Sequence, residues 1–458
     1  MIQGLKPYPE YKDSGSRWLG PVPAHWAVRN LRTLIKKRAE RNCPELPLLS
    51  VAREKGVFVR SLTDDDENHN VIPEDLSNYK VARAGNLVIN KMKAWQGSMG
   101  IAPCDGIVSP AYFVFDFSVG SRAFGQALLR SKPYVAHFGR ASDGVRVGQW
   151  DLSVPGMRQI PVLVPDENEQ AAIVRFLAHA NGRVERAIRA KQTLIALLNE
   201  QKQAIIHRAV TLGLDPDVPL KSSGIPWLAN IPKHWRIVRN LALFSHRVEQ
   251  GVPGLPVLQV SLRSGITVEP LSQFGRPKRL IADHTRYKLV RKHDLAYNTM
   301  RMWQGAVGTS ATDGLVSPAY VVIRPRAGVD PRFYEFVFRT SEYKQQVNRF
   351  STGIVSDRNR LYWENFKQMP NLLLPIEEQE AICCFIDRES VGLNRAIIHA
   401  EREIALLREY RTRLTADVVT GKLDVREAAR KLPDTAEEAG ATLEIEELTD
   451  VEAEGVEA

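Results

Sequence analysis

Residues 79–112 read YKVARAGNLVINKMKAWQGSMGIAPCDGIVSPAY, and residues 287–320 read YKLVRKHDLAYNTMRMWQGAVGTSATDGLVSPAY. Seventeen of the 34 positions are identical without a gap, far more than unrelated stretches share. The match continues in both directions. Upstream, Trp18, Leu19, Pro23, His25 and Trp26 correspond to Trp227, Leu228, Pro232, His234 and Trp235, an offset of 209. Downstream, Glu169-Gln170 corresponds to Glu378-Gln379, Arg186-Ala187-Ile188 to Arg395-Ala396-Ile397, and Ile195–Leu198 to Ile404–Leu407. Colinear matches at offsets of 208 and 209 mean a single unit of about 209 residues used twice.

Each copy has two parts. The first carries short apolar and β-branched stretches, Leu46–Val51, Val57–Arg60, Asn86–Asn90 and Ile107–Phe115, punctuated by Gly, Pro and Asp, which predict strands. A helix is expected at Ser121–Ser131. After Pro165 the period changes. Ile173, Leu177, Val184, Ile188, Ile195 and Leu198 recur at helical spacing, and Ile382, Ile386, Leu393, Ile397, Ile404 and Leu407 repeat the stripe in the second copy. A helix of some 40 residues cannot leave such a seam in water, so the two are expected to bury their stripes against each other as an antiparallel coiled coil with pseudo-two-fold symmetry. Two amphipathic helices packing on their own domains are the alternative, which their length disfavours. The predicted fold class is α+β: a β-rich domain at 1–165, a helical region at 166–213, a second β-rich domain at 214–375, a helical region at 376–424, and an acidic tail at 425–458 expected to be disordered.

Charge narrows the partners. The chain carries 62 Lys and Arg against 53 Asp and Glu, but ten of the acidic residues lie between Pro433 and Ala458. Without that tail the balance is +19, enough to draw a polyanion through counterion release. A chain that is 44% hydrophobic and 25% charged, with no apolar run near the ~20 residues of a membrane helix, is expected to be soluble and cytoplasmic. Cys43, Cys104, Cys383 and Cys384 form no C-x-x-C pair, which excludes a zinc ribbon or disulfide framework.

A basic protein with two related domains suggests reading of double-stranded DNA at two half-sites. The candidate reading segments are Asn90, Lys91, Lys93, Trp95 and Gln96 in the first copy, and Asn298, Arg301, Trp303 and Gln304 in the second. Asn and Gln can pair with an adenine edge, Arg or Lys with guanine, and Lys with phosphate. Tryptophans more often fill cores. Domains that read different bases should also differ at their reading positions, which favours Lys91/Thr299, Lys93/Arg301 and Ala94/Met302. Arg140, Arg146, Arg349, Arg358 and Arg360 are further candidate DNA contacts. Asp105-Gly106 and Asp313-Gly314 look like turn residues.

Catalytic signatures are missing. There is no phosphate loop for ATP, no glycine-rich turn for a methyl-donor nucleotide, and no Asn/Asp-Pro-Pro-aromatic tetrad. Asp64-Asp65-Asp66-Glu67 reads as a charged loop, and no histidine pair has metal-helix spacing. No metal site and no catalytic residue is expected.

The blocks WQGSMG…DGIVSPAY and WQGAVG…DGLVSPAY, the Pro165–Ile173 and Pro375–Ile382 helix starts, and RLYWENFKQMP at Arg360–Pro370 resemble the specificity subunit of type I restriction–modification systems over residues 14–424. The resemblance implies two target-recognition domains, each reading half of a split site. It also implies helices that dock two adenine-methylating modification subunits, and association with restriction subunits. S-adenosylmethionine, ATP and Mg would then be used by those partners, with no cofactor bound by this chain. One departure is that Gly144–Trp150 stands where the second copy has RLYWENF. Competing readings are a self-sufficient methyltransferase or nuclease, and a non-specific coiled-coil adaptor.

Overall fold

The computed structural model describes residues 5–60, 75–146, 149–225, 228–262, 265–268, 286–353 and 359–433, without the side chains of 145–149. The chain divides into two units, Met1–Lys191 with Arg402–Ala458, and Gln192–Glu401. Both boundaries fall inside long helices.

The first unit is organised on a four-stranded antiparallel sheet in the order Ile35–Arg38, Tyr112–Phe117, Leu87–Asn90, Met99–Ile101. Leu87 and Ile89 enter the main core with Phe124, Leu128 and Phe138, while Val88 enters a smaller core with Leu49, Ala82 and Val114. Successive strand residues face opposite ways, so a sheet covered on both sides requires the unbroken apolar run LVI. The second unit repeats the order with Phe244–Arg247, Tyr320–Pro325, Leu295–Asn298 and Val307–Thr309. There Leu295 and Tyr297 face one core and Ala296 the other.

The strand expected at Ile107–Phe115 is two strands, Gly106–Val108 and Tyr112–Phe117. Pro110 has no N–H for a ladder, and the Tyr112 N–H instead closes a turn on the Ser109 carbonyl at 2.9 Å. The helix expected at 121–131 is Arg122–Leu129, capped by the Ser121 hydroxyl, which accepts from the Phe124 N–H at 3.3 Å. A second helix, Lys132–Arg140, follows it.

The first long helix spans Glu167–Leu212 and the second Ile376–Val419. Asp166 caps the first by accepting the Glu169 N–H at 2.9 Å, and Gly213 ends it with a left-handed φ of 76°. The Glu-Gln pair at each start ties helix to domain. Gln170 donates to the Pro165 carbonyl at 2.9 Å and accepts the Ser121 N–H at 2.8 Å. Gln379 does the same with the Leu374 carbonyl (2.9 Å) and the Asp330 N–H (2.8 Å). Beside them His25 meets Glu169 at 2.7 Å, and His234 meets Glu378 at 2.9 Å.

Of the stripe residues, Ile173, Leu177, Val184, Ile188, Ile382, Ile386 and Ile404 are buried; Ile195, Leu198, Leu393, Ile397 and Leu407 are half-buried. Within the first unit, Glu185 pairs with Arg411 at 3.0 Å and Lys191 with Glu403 at 2.7 Å. Such exposed pairs contribute about 0–1 kcal/mol each, so the buried aliphatic side chains, at about 1.5–3 kcal/mol each, dominate. Within the second unit, Ile206, Ala209 and Val210 share a core with Ile382, Cys383 and Ile386, and Lys202 donates to Asn394 at 2.9 Å.

Residues 425–433, assigned by charge to the acidic tail, belong to the folded body. Val425, which precedes the helical turn Arg426–Arg430, and Ala429 within it join the core of Tyr8 and Trp26, and the Asp424 N–H bonds to the Lys6 carbonyl at 2.8 Å. The remaining tail, 434–458, lies outside the described residues. No described helix is long and apolar enough to cross a membrane.

Candidate nucleic-acid interface

The matched segments form one turn, built twice. Asn90 ends its strand with its side-chain oxygen accepting the Met92 N–H at 3.1 Å, and the Trp95 indole donates to the Met92 carbonyl at 3.1 Å. In the second unit the Asn298 oxygen accepts the Met300 N–H at 3.0 Å, and Trp303 donates to the Met300 carbonyl at 3.0 Å. Gly97 and Gly305 close the turns at φ values of 93° and 95°, where a side chain is strained. The shared Asn-x-Met-x-x-Trp-Gln-Gly pattern therefore encodes a backbone shape. Buried Asn90 spends its carbonyl oxygen on that shape, and both indole N–H groups are engaged.

Each unit also carries an ionic frame just before the strand that leads into the turn. Arg83 reaches Asp105 at 2.9 Å and also touches Glu40; Arg291 reaches Glu249 at 3.6 Å and Asp313 at 3.8 Å. The Ala84 N–H on its carboxylate, followed by Arg83, holds Asp105 below the usual carboxylate range. A Cβ at Gly106 would stand 2.6 Å from Leu49 Cγ, and one at Gly314 2.6 Å from Leu258 Cγ. Close approach to a neighbouring strand thus explains both Asp-Gly pairs. Sequence reasoning missed Lys80 and Lys288, whose ammonium groups donate to the Tyr112 and Tyr320 carbonyls at 2.5 Å. Burial lowers the pKa of both, with Arg41, Lys37 and Lys91 adding to the shift at Lys80. The signal was the Tyr-Lys opening both matched blocks.

In the second unit the turn borders a cleft of about 490 Å³ lined by His246, Lys288, Met300, Arg360, Tyr362 and Trp363, among others. His246 stacks on Trp363, ring centroids 5.2 Å apart. Burial, then Lys288, lowers the His246 pKa, while Glu364 opposes them. Aromatic walls with cations at the rim suit a nucleobase edge beside a phosphate.

No family model matches the sequence, and no curated protein matches it. Among solved structures, a chain from work on complex assembly and conformational transition of the type I R-M system is similar. It aligns with a TM-score of 0.61 at 14% identity, over 88% of this chain and 99% of that one. This chain shares the fold of that type I R-M system chain. The HsdS subunit from Thermoanaerobacter tengcongensis aligns at 15% identity over 87% of this chain and 96% of its own, with a TM-score of 0.42. The S subunit from M. genitalium aligns at 11% identity over 86% and 96%, with a TM-score of 0.33.

Within this fold the candidate residues separate by exposure. Ala94 and Met302, favoured because they differ between copies, are fully buried and cannot reach a ligand. Thr299 is buried, its hydroxyl donating to the Ala319 carbonyl at 2.9 Å. Lys93, Arg301 and Gln304 are exposed, as are Arg140, Arg349 and Arg360; Lys91, Gln96, Trp95 and Trp303 are half-buried. Trp95 lies 5.1 Å from Trp150 between ring centroids. The Arg146 side chain, Arg358 and the Asp64–Glu67 run lie outside the described residues.

The correspondence between copies after the turn also changes. The Leu152 N–H donates to the Lys91 carbonyl at 2.8 Å, and the Leu361 N–H to the Thr299 carbonyl at 2.9 Å. Leu152 is therefore the partner of Leu361, and Asp151–Met157, not Gly144–Trp150, stands in the place of Arg360–Phe366.

Proposed function

We propose that this chain is the non-catalytic specificity subunit of a type I restriction–modification complex. The observation that carries this reading is the fold shared with a chain of a type I R-M system over 88% of this one. The twin turns, each bordered by exposed cations, support it. In this reading each β-rich domain reads half of a bipartite DNA site. The long helices pair as an antiparallel coiled coil that sets the number of unread base pairs between the halves. The Glu185–Arg411 and Lys191–Glu403 contacts, whose numbering falls on one helix as it rises on the other, support that pairing. Two modification subunits carry S-adenosylmethionine and methylate an adenine in each half-site after extruding it from the stack. Restriction subunits use ATP and Mg.

Methylome sequencing of a host carrying the chain with its modification subunits tests the reading directly. It should return one split motif that disappears when the chain's gene is deleted. Methyl transfer or metal-dependent cleavage by the purified chain alone would instead support a self-sufficient enzyme. Binding without sequence preference, partners included, would support an adaptor.

Two further outcomes follow. Exchanging residues 1–165 for the equivalent domain of another protein of this fold should alter one half-site and leave the other intact; alteration of both would refute independent reading. Removing one turn from both long helices shortens each by about 5.4 Å. That should shorten the unread spacer by about one or two base pairs at ~3.4 Å each, with both half-sites retained. An unchanged spacer would refute the helices as its determinant.

A further inference from the structure

Arg360 stands on a pinned segment. Its backbone exchanges two hydrogen bonds with Thr352, both 3.0 Å, and the next residue bonds to the Thr299 carbonyl at 2.9 Å. The side chain is exposed at the rim of the 490 Å³ cleft, with Nη1 3.5 Å from the Tyr362 hydroxyl. Among the described residues no carboxylate claims its guanidinium. Met300, Pro318 and Ala319 beside it in the cleft are apolar. A planar donor fork on a fixed backbone is suited to two-point recognition.

The corrected correspondence puts Asp151 of the first unit at this position. Lys91, the counterpart of Thr299, pairs with Asp151 at 3.0 Å. Opposite charges at matched positions distinguish two kinds of nucleic-acid contact. A position facing the phosphate backbone in both units would be cationic in both, since a carboxylate beside phosphate is repelled. A position facing base edges accommodates either sign, because guanine presents the acceptors O6 and N7 whereas cytosine presents the N4 donor.

Resting on the specificity-subunit reading, we propose that Arg360 reads a guanine in the half-site of the second unit. The Lys91–Asp151 pair occupies the same reading position in the first unit and selects a different base. Position 151/360 is thus a point at which the duplicated domains diverged in specificity.

The test uses the full chain, expressed with its modification subunits, in wild-type, Arg360→Ala and Asp151→Ala forms. Methylation is read genome-wide and binding is measured against salt. Arg360→Ala should relax one guanine position in one half-site, discrimination there falling about 5- to 150-fold. The other half-site and the spacer should stay unchanged, which also shows that the variant folds and assembles. Asp151→Ala should relax one position in the opposite half-site only. A uniform loss of affinity across all sequences for Arg360→Ala, with the salt dependence reduced by about one phosphate contact, would overturn the proposal, as would an unchanged pattern. Absence of any split motif with the wild-type chain would instead refute the specificity-subunit reading.

Discussion

Trp26→Ala should lower the stability of the first unit by about 3–5 kcal/mol, the usual cost of deleting a large buried aromatic ring. The ring is fully buried where three separate segments meet. Tyr8 approaches edge-on with centroids 5.7 Å apart. Leu414, Val418 and Val425, from the end of the second long helix and the chain beyond it, share its core. Gly421, at φ 77°, passes so close that a Cβ would lie 2.4 Å from Pro23 Cδ and 3.1 Å from the Trp26 ring. The void left by alanine cannot close without moving all three segments. Among the described residues the indole N–H has no hydrogen-bond partner, so the ring acts through apolar burial, and Trp26→Phe should lose much less. Urea unfolding gives the loss, and amide exchange should quicken over residues 414–429. Unchanged exchange there would show that Trp26 does not hold the returning segment. Trp235 repeats the arrangement in the second unit, 3.4 Å from a Cβ at Gly213.

A second large loss is expected for Asp294→Ala. Arg247 meets Asp294 through Nε at 2.6 Å and Nη2 at 3.2 Å, with side-chain exposures of only 8% and 3%. Deleting one partner of a buried pair strands the other charge, at about 3–5 kcal/mol. Glu249 also contacts Arg247, which places the expected cost at the lower end. The first unit supplies the control. Arg38 meets Asp116 through Nε alone, which reaches the two carboxylate oxygens at 2.8 and 2.9 Å, and the side chains are 48% and 31% exposed. Water screens that pair, and Asp116→Ala should cost about 0–1 kcal/mol. Thermal unfolding of the two variants compares them directly. Equal losses would mean that burial is not what separates the two pairs.

The turn at residues 90–97 shows how sequence can locate a feature and misjudge its parts. Repetition of Asn-x-Met-x-x-Trp-Gln-Gly made it conspicuous, and exposed cations border it. The invariant Asn and Trp, however, hold the backbone, and two of the differing positions, Ala94 and Met302, point into the core. Repetition alone cannot separate a shared shape from a shared contact, because both are kept when a domain is duplicated. The Arg360 correspondence was misread for a related reason: the first copy retains little of RLYWENF, and only the hydrogen bonds from Leu152 and Leu361 to the turn identify equivalent residues.

The amino-acid sequence by itself determined the duplication, the long helices with their apolar stripes, and the short strands of the β-rich parts. Each of these rests on local period and composition, which neighbouring residues carry together. Tertiary structure alone decided that the first unit is completed by chain distant in sequence, with residues 402–433 returning to Tyr8 and Trp26. It alone decided, too, which charges are buried and which residue faces Arg360's place in the other copy. Those outcomes depend on which surfaces meet in three dimensions, and no spacing along the chain encodes them.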